Sequence, residues 1–252
     1  MKEGFIDVEE KLEKIQKRVK GIEDKRVASE VFDKSTLLTL YDLANRGIIW
    51  VLNGVVKTGK EANIFHGEDK DGNPVAVKIH RVATGDYKAM LKYIEGDRRF
   101  KGLKRNKRSI VYTWVRKEFR NLQRARKCNV RVPAPVAFKN NVLVMEFIGD
   151  NGRPAVMLKD WEVKDPVRMF EMILGYVKKL YCRCNLVHAD MSEYNVLVWN
   201  NKPVLIDLSQ TVILEHPHSK KFLKRDVANL VRFFGKYVEL DEEEVLKSIE
   251  EC

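Results

Sequence analysis

Apolar residues at Val8, Leu12, Ile15, Val19 and Ile22 recur at steps of three and four, which predicts an amphipathic helix with one charged face. A second helix is expected from Ser35 to Arg46, because Asp33 and Ser35 offer capping oxygens and Gly47 follows its end. Together they make an N-terminal helical extension over residues 1–47. Strand patterns then take over at Ile48 to Leu52, Ala62 to His66 and Val75 to Ile79, with Asp71-Gly72-Asn73-Pro74 as a hairpin turn. Between Arg81 and Ser109 the periodicity dissolves among Gly85, Gly96 and Gly102, so a flexible basic segment is expected over about 82–110. Helical spacing returns from Tyr112 to Lys127, and Val142 to Phe147 reads as a buried strand. Pro166 opens a helix through Met169, Ile173, Val177 and Leu180. Two strands, Asn195 to Trp199 and Pro203 to Ile206, flank the turn residues Asn200 and Asn201. Helices near Lys220 to Tyr237 and Asp241 to Glu250 close the chain.

A length of 252 residues with 44% hydrophobic content supports one large domain or two lobes. No apolar run reaches the roughly 18 residues of a membrane span, and Met1 to Glu10 is not signal-like, so a soluble, cytoplasmic protein without a membrane partner is expected. Cys128, Cys182, Cys184 and Cys252 lack the spacing of a disulfide framework or a zinc site and are read as thiols. A formal charge of +11 calls for an anionic partner: nucleotide, RNA or acidic protein. Lys, Glu and Arg dominate the charged residues while glutamine occurs only at Gln16, Gln123 and Gln210, which is the thermophile tendency.

Chemistry concentrates in His188-Ala189-Asp190-Met191-Ser192-Glu193-Tyr194-Asn195, with Asp207 twelve residues further on. Phosphoryl transfer needs a carboxylate to orient or deprotonate the attacking hydroxyl and oxygen ligands to hold Mg2+ (or Mn2+) on a triphosphate. Asp190 suits the first task, and Asn195 with Asp207 the second. Upstream, Val75-Ala76-Val77-Lys78 matches a strand lysine that neutralises α and β phosphates, and Glu118 is the helix carboxylate chosen to hold Lys78. The run Gly54-x4-Gly59-Lys60 imitates a Walker A loop, but Glu61 stands where magnesium needs a hydroxyl and a strand follows instead of a helix. The alternative is a phosphate-covering loop between two strands, Lys57, Thr58, Gly59, Lys60, Glu61 and Ala62, with ATP as the ligand. Asp226 is a candidate for tying down the catalytic loop. His216 and His218 read as loop or packing residues, and Phe233 and Phe234 as core.

Together these motifs resemble the RIO family of atypical serine protein kinases, over about Ile48 to the C-terminus. Thr58-Gly59-Lys60-Glu61-Ala62, His188-Ala189-Asp190 with Tyr194-Asn195, and Ile206-Asp207-Leu208-Ser209-Gln210 are similar to the first RIO subfamily, and the expected source is archaeal. The resemblance implies an α/β (α+β) protein-kinase-like two-lobed fold, with an N-lobe over 48–146 and a reduced C-lobe over 147–252. It implies Asp190 as catalytic aspartate, Asn195 and Asp207 as metal ligands, a Lys78–Glu118 pair, and a hinge of Met145, Glu146 and Ile148 against adenine. It further implies serine autophosphorylation, ATP hydrolysis and a role in maturation of the small ribosomal subunit. Only 45 residues follow Asp207, too few for a conventional peptide-docking lobe. An ATPase switch in ribosome assembly is therefore the alternative to a kinase acting in trans, and a small-molecule phosphotransferase is a further rival.

The basic segment from Arg98 to Arg126, which opens with a run of seven Lys or Arg over the eleven residues from Arg98 to Arg108 and has Phe100, Tyr112 and Trp114 nearby, is read as a contact to RNA phosphates and bases in rRNA or a pre-small-subunit particle. Ser109, which ends the run, is the candidate autophosphorylation site.

Overall fold

The computed structural model describes residues 32–83 and 85–251, so the helix expected over Val8 to Ile22 lies outside the described residues. The first described element is α1, Lys34–Asn45, capped by Asp33, whose side chain accepts the Thr36 N–H at 2.8 Å. Five strands follow: β1, Val51–Lys57; β2, Ala62–Glu68; β3, Pro74–His80; β4, Pro135–Lys139; and β5, Val142–Glu146. They form one antiparallel sheet in the order β1-β2-β3-β5-β4.

Alternation writes this sheet. In β2 every second residue is buried, and Phe65 from it joins Leu52, Val75, Val77, Ile79, Val142 and Val144 with Leu40 and Leu43 of α1 in one core. Asp69 closes the β2–β3 hairpin by accepting the N–H groups of Asp71 and Asn73, both at 2.9 Å, with Gly72 at φ 81°. Polar contacts also fasten α1: Asn141 donates to Thr36 and to the His80 carbonyl, each at 2.9 Å.

The chain groups into two compact units. Of the described residues, the first comprises those up to Asp86 with Arg105–Val115 and Pro135–Phe147; the second comprises Tyr87–Lys104, Arg116–Ala134 and those from Ile148 on.

The stretch read as irregular between Arg81 and Ser109 carries helix. Helix α2, Tyr87–Ile94, buries Met90, Tyr93 and Ile94, and a 3-10 turn, Arg98–Phe100, follows. Helix α3, Lys107–Lys127, begins more than a turn before the expected Tyr112. The second unit adds β6, Gly149–Asp150; β7, Arg153–Pro154; β8, Val156–Met157; α4, Pro166–Cys182; β9, Leu186–Val187; β10, Val196–Trp199; β11, Lys202–Leu205; β12, Val212–Ile213; α5, Ser219–Phe234; and α6, Glu242–Glu250. Asn200 and Asn201 both adopt positive φ, 51° and 57°, the two-residue turn that matches strand twist between β10 and β11. Helix α4 starts at Pro166 with Asp165 accepting the Arg168 N–H at 3.0 Å, and buries Met169, Phe170, Ile173, Val177 and Leu180. Phe170 meets Phe234 of α5 edge to face at 5.4 Å.

One expectation is corrected here: Cys128 and Cys184, read as thiols, are joined in a disulfide. Their separation of 56 residues hid the pairing from the sequence. Among the described residues, no helix is long and apolar enough to cross a membrane.

Phe65 is fully buried at the centre of the first unit. Phe65→Ala is expected to cost about 3–5 kcal/mol, read as a lowered guanidinium midpoint of that unit.

Candidate active site

In the second unit, the segment from β9 to β10 is the loop that carries Asp190. Its geometry begins with the buried carboxylate of Asp226 on α5, which accepts the Ala189 N–H at 2.7 Å and the Met191 N–H at 2.9 Å. Ala189 between them sits at φ 65°, a left-handed conformation that L side chains rarely adopt. Arg225 donates to the Ala189 carbonyl and Asn229 to that of Met191 at 2.9 Å, so both backbone groups on each side of Asp190 are held. Burial pushes the Asp226 carboxyl up to about 7, against the pull of the two N–H groups and of Arg225.

Asn195 completes the loop. Its amide nitrogen donates to the Asp190 carbonyl at 2.7 Å and to Asp190 Oδ2 at 2.9 Å. The nitrogen being committed, the amide oxygen is the atom Asn195 offers elsewhere. The Ile206 N–H bonds the Asn195 carbonyl at 3.0 Å, which brings the next residue, Asp207, beside the loop. Asp207 also has positive φ, 59°, and its Oδ1 accepts the Ser209 hydroxyl at 2.6 Å. An amide oxygen and a carboxylate are hard donors of the kind Mg2+ or Mn2+ takes when phosphates and waters fill its remaining positions, so Asn195 and Asp207 fit the ion.

His188 contributes by staying neutral. Burial lowers its pKa to about 4, while the Asp207 charge and the bond to Ile206 act in the opposite direction. Its Nε2 lies 3.2 Å from the Ile206 carbonyl, which fixes Nε2 as the protonated nitrogen.

Two residues that sequence reasoning missed hold the segment after Asp207. Lys117 on α3 is fully buried, and its Nζ donates to the carbonyls of Ser209, at 2.8 Å, and Thr211. Burial pushes its ammonium down to about 7, with Arg99 adding to the effect and Asp97 and Glu118 countering it. Asn121, one turn on, donates to the carbonyls of Leu208 and Thr211, each at 2.9 Å. The helical spacing of 117 and 121 was legible, but their targets lie about ninety residues away.

In the first unit, Lys57 ends β1 and Ala62 opens β2, with Thr58, Gly59, Lys60 and Glu61 as the connecting loop. Fully buried Asn63 gathers this loop: its Oδ1 accepts from Gly59 N and from Arg81 Nη2, both at 3.3 Å. The Arg81 N–H in turn bonds the Glu61 carbonyl at 2.8 Å. A β-carbon on Gly59 would meet the Ala62 carbonyl oxygen at 2.9 Å, so the tight path requires glycine there. Lys78 is buried in β3, opposite Ile64 of β2 and Leu143 of β5. Met145 and Glu146 close β5, paired with Ala76 and Val75.

The structure thus brings Asp190, Asn195, Asp207 and Asp226 together in one unit, and the loop 57–62, Lys78, Met145 and Glu146 fall in the other. Buried Glu118 and Ile148 belong with the aspartates, so Lys78 and Glu118 fall in different units. Ser109 lies in the first turn of α3, where its N–H bonds Asn106 Oδ1 at 2.9 Å. His216, also buried, has its Nδ1 3.2 Å from the His218 N–H. Base stacking by Phe100 and Trp114 is overturned: they are 4% and 2% exposed.

The sequence matches the RIO domain over residues 63–245. It is 45% identical over 236 residues to the RIO-type serine/threonine-protein kinase Rio1 of Methanocaldococcus jannaschii, covering 93% of this chain and 81% of that protein. It is 41% identical over 219 residues to the Haloferax volcanii protein of the same name, covering 87% and 75%. Against the human serine/threonine-protein kinase RIO1 it is 36% identical over 224 residues, spanning 39% of that longer protein. Among solved structures, the Rio2 kinase-ADP/Mg2+-phosphoaspartate complex from Chaetomium thermophilum superposes with a TM-score of 0.65 at 21% identity, covering 86% of this chain and 67% of that one. The architecture is accordingly a protein-kinase-like fold.

Two outcomes follow from the buried groups. The folded pKa of His188, about 4, lies below its unfolded value near 6.5, so the stability it contributes is complete above pH 6.5 and lost as pH falls toward 4. Urea titrations are expected to show a decline on the order of 3 kcal/mol across that window, flattened in His188→Gln. Lys117→Met deprives the Ser209 and Thr211 carbonyls of a donor and is expected to cost about 1–3 kcal/mol at pH 7 in the same assay.

Proposed function

Because the chain belongs to the RIO family of serine/threonine-protein kinases, we propose that it transfers the terminal phosphoryl group of Mg-ATP to a serine hydroxyl, its own Ser109 included, and hydrolyses ATP, in the service of small ribosomal subunit maturation in the cytoplasm. The observation that carries the reading is the Asn195 amide, which spends its nitrogen on Asp190 at 2.7 and 2.9 Å and so leaves its oxygen as the donor that would hold a cation together with Asp207. Asp190 orients the acceptor hydroxyl and takes its proton. A magnesium ion held by Asn195 and Asp207 supplies charge neutralisation at the phosphates. Lys78 meets the α and β phosphates, and the N–H groups of the loop Lys57 to Ala62, with Lys60, cover them. Met145, Glu146 and Ile148 receive adenine. Asp226 keeps the backbone on both sides of Asp190 in place, and its contribution is geometric.

A second reading, an ATPase switch, is favoured by one observation: the structurally similar Chaetomium Rio2 kinase was captured with ADP, Mg2+ and a phosphoaspartate. In this chain Asp207 is the carboxylate suited to such an acyl phosphate, whose hydrolysis would regenerate it.

The test is a single-turnover assay with radiolabelled ATP and Mg2+, with and without small-subunit precursor particles. Asp190→Ala is expected to reduce turnover by about 10²–10⁴-fold. Label on an added protein identifies a kinase acting in trans. Free phosphate or self-label alone, stimulated by particles, identifies the switch, and no turnover under any condition overturns both readings.

A further inference from the structure

The strongest unassigned feature lies in the second unit, around the buried ring of Phe100. Three guanidinium carbons surround this one phenyl ring: Arg99 at 5.3 Å, Arg116 at 5.4 Å and Arg120 at 5.7 Å. Arg124 continues the α3 face that Arg116 and Arg120 begin, one residue every four. Arg99 is already matched by Asp97, at 2.7 Å, and Arg98 by Glu215, at 3.1 Å. Within this cluster, the side chains of Arg116, Arg120 and Arg124 have no hydrogen bond or ion pair among the described residues, and the Arg116 Nε is buried without a partner. Crowding registers on them: burial and then Arg120 lower the Arg116 pKa, while burial and Arg99 lower that of Arg124, partly offset by Glu215 and Asp97.

Three cations aligned without an ion pair of their own repel one another, and that repulsion is offset only in part, by the face of one aromatic ring and by the more distant charges of Glu215 and Asp97 at Arg124. An anion placed along the strip relieves it. Steps of four residues on a helix rise about 6 Å, comparable with the spacing of successive phosphates along a nucleic-acid strand. The strip presents guanidinium groups, which suit phosphate geometry, and no exposed aromatic to stack a base, since Phe100 is covered. It also lacks the apolar anchor that a protein interface centres on.

We infer that Arg116, Arg120 and Arg124 form a docking strip for the phosphate backbone of RNA, one that holds duplex regions without reading sequence. The inference rests on the reading that an RNA-bearing particle is a partner, and it narrows the contact from the whole Arg98–Arg126 segment to one face of α3, with phosphates and not bases as its target. Binding of the full chain to a labelled RNA duplex is measured at several salt concentrations, for wild type and for the triple variant Arg116→Gln, Arg120→Gln, Arg124→Gln, with polyglutamate as the acidic-polypeptide competitor. Thermal melting checks that the variant is folded, and the single variant Arg120→Gln at an exposed position serves if it is not. Expected are a weakening of tenfold or more in the triple variant and a salt slope reduced by about 3, or by about 1 for Arg120→Gln. Wild type that fails to bind RNA overturns the partner reading. Wild type that binds while a folded variant keeps the same affinity and slope overturns the strip alone. Polyglutamate displacing RNA at equal charge concentration assigns the strip to an acidic protein and also overturns the inference.

Discussion

A carboxylate removed from water has to be supplied with donors, and in the second unit that demand shapes the loop bearing the reactive groups. Asp226 sits 1% exposed on a helix face otherwise made of Phe222, Leu223, Val227 and Leu230. Its two oxygens find donors only if the backbone on either side of Asp190 turns both N–H groups inward, and that turn forces Ala189 to positive φ. The cost of that conformation, about 1 kcal/mol or more, is tolerated because four hydrogen bonds from α5 residues fix the same short stretch. Asp190 is thereby positioned by its neighbours' backbone, while its own carboxylate accepts from Asn195.

The segment after Asp207 is governed by the complementary shortage. Carbonyls of Leu208, Ser209 and Thr211 point into protein, and α3 answers them with donors from Lys117 and Asn121. A cation is a costly choice for a dry site, as the depressed pKa of Lys117 records. What it gains is reach, since one Nζ serves two carbonyls two residues apart. The same helix therefore carries buried Glu118 beside the two donors that hold the segment after Asp207.

Much of this was legible in the sequence where the signal is local. The Asp33 cap, the Pro166 helix start, the Ala62 to His66 strand, the Asn200-Asn201 turn and the His188 to Asn195 motif each depend on residues a few positions apart. Helix α2 was missed because eight residues with Met90, Tyr93 and Ile94 buried give a short period, masked by the glycines and cations around them. Strand β4 was missed because Pro135 opens it and Val136 faces outward. The roles of Lys117 and Asn121 could not be read at all: nothing in a helical lysine announces that the carbonyls it serves lie some ninety residues further along the chain.

Asn121 connects two places at once. Its oxygen accepts from Arg99 Nη1 at 2.9 Å while its nitrogen donates to Leu208 and Thr211. An amide is the one side-chain group that presents an acceptor and two donors in that fixed order. Aspartate would turn an oxygen toward two carbonyls, leucine would leave Arg99 Nη1 and the Leu208 carbonyl without their side-chain partner while Asp97 and Lys117 still served Arg99 and Thr211, and glutamine would carry the same head one methylene too far. In terms of inheritance, a single change at residue 121 is felt at Arg99 and in the segment after Asp207 at the same time, so the two places are tied through one side chain.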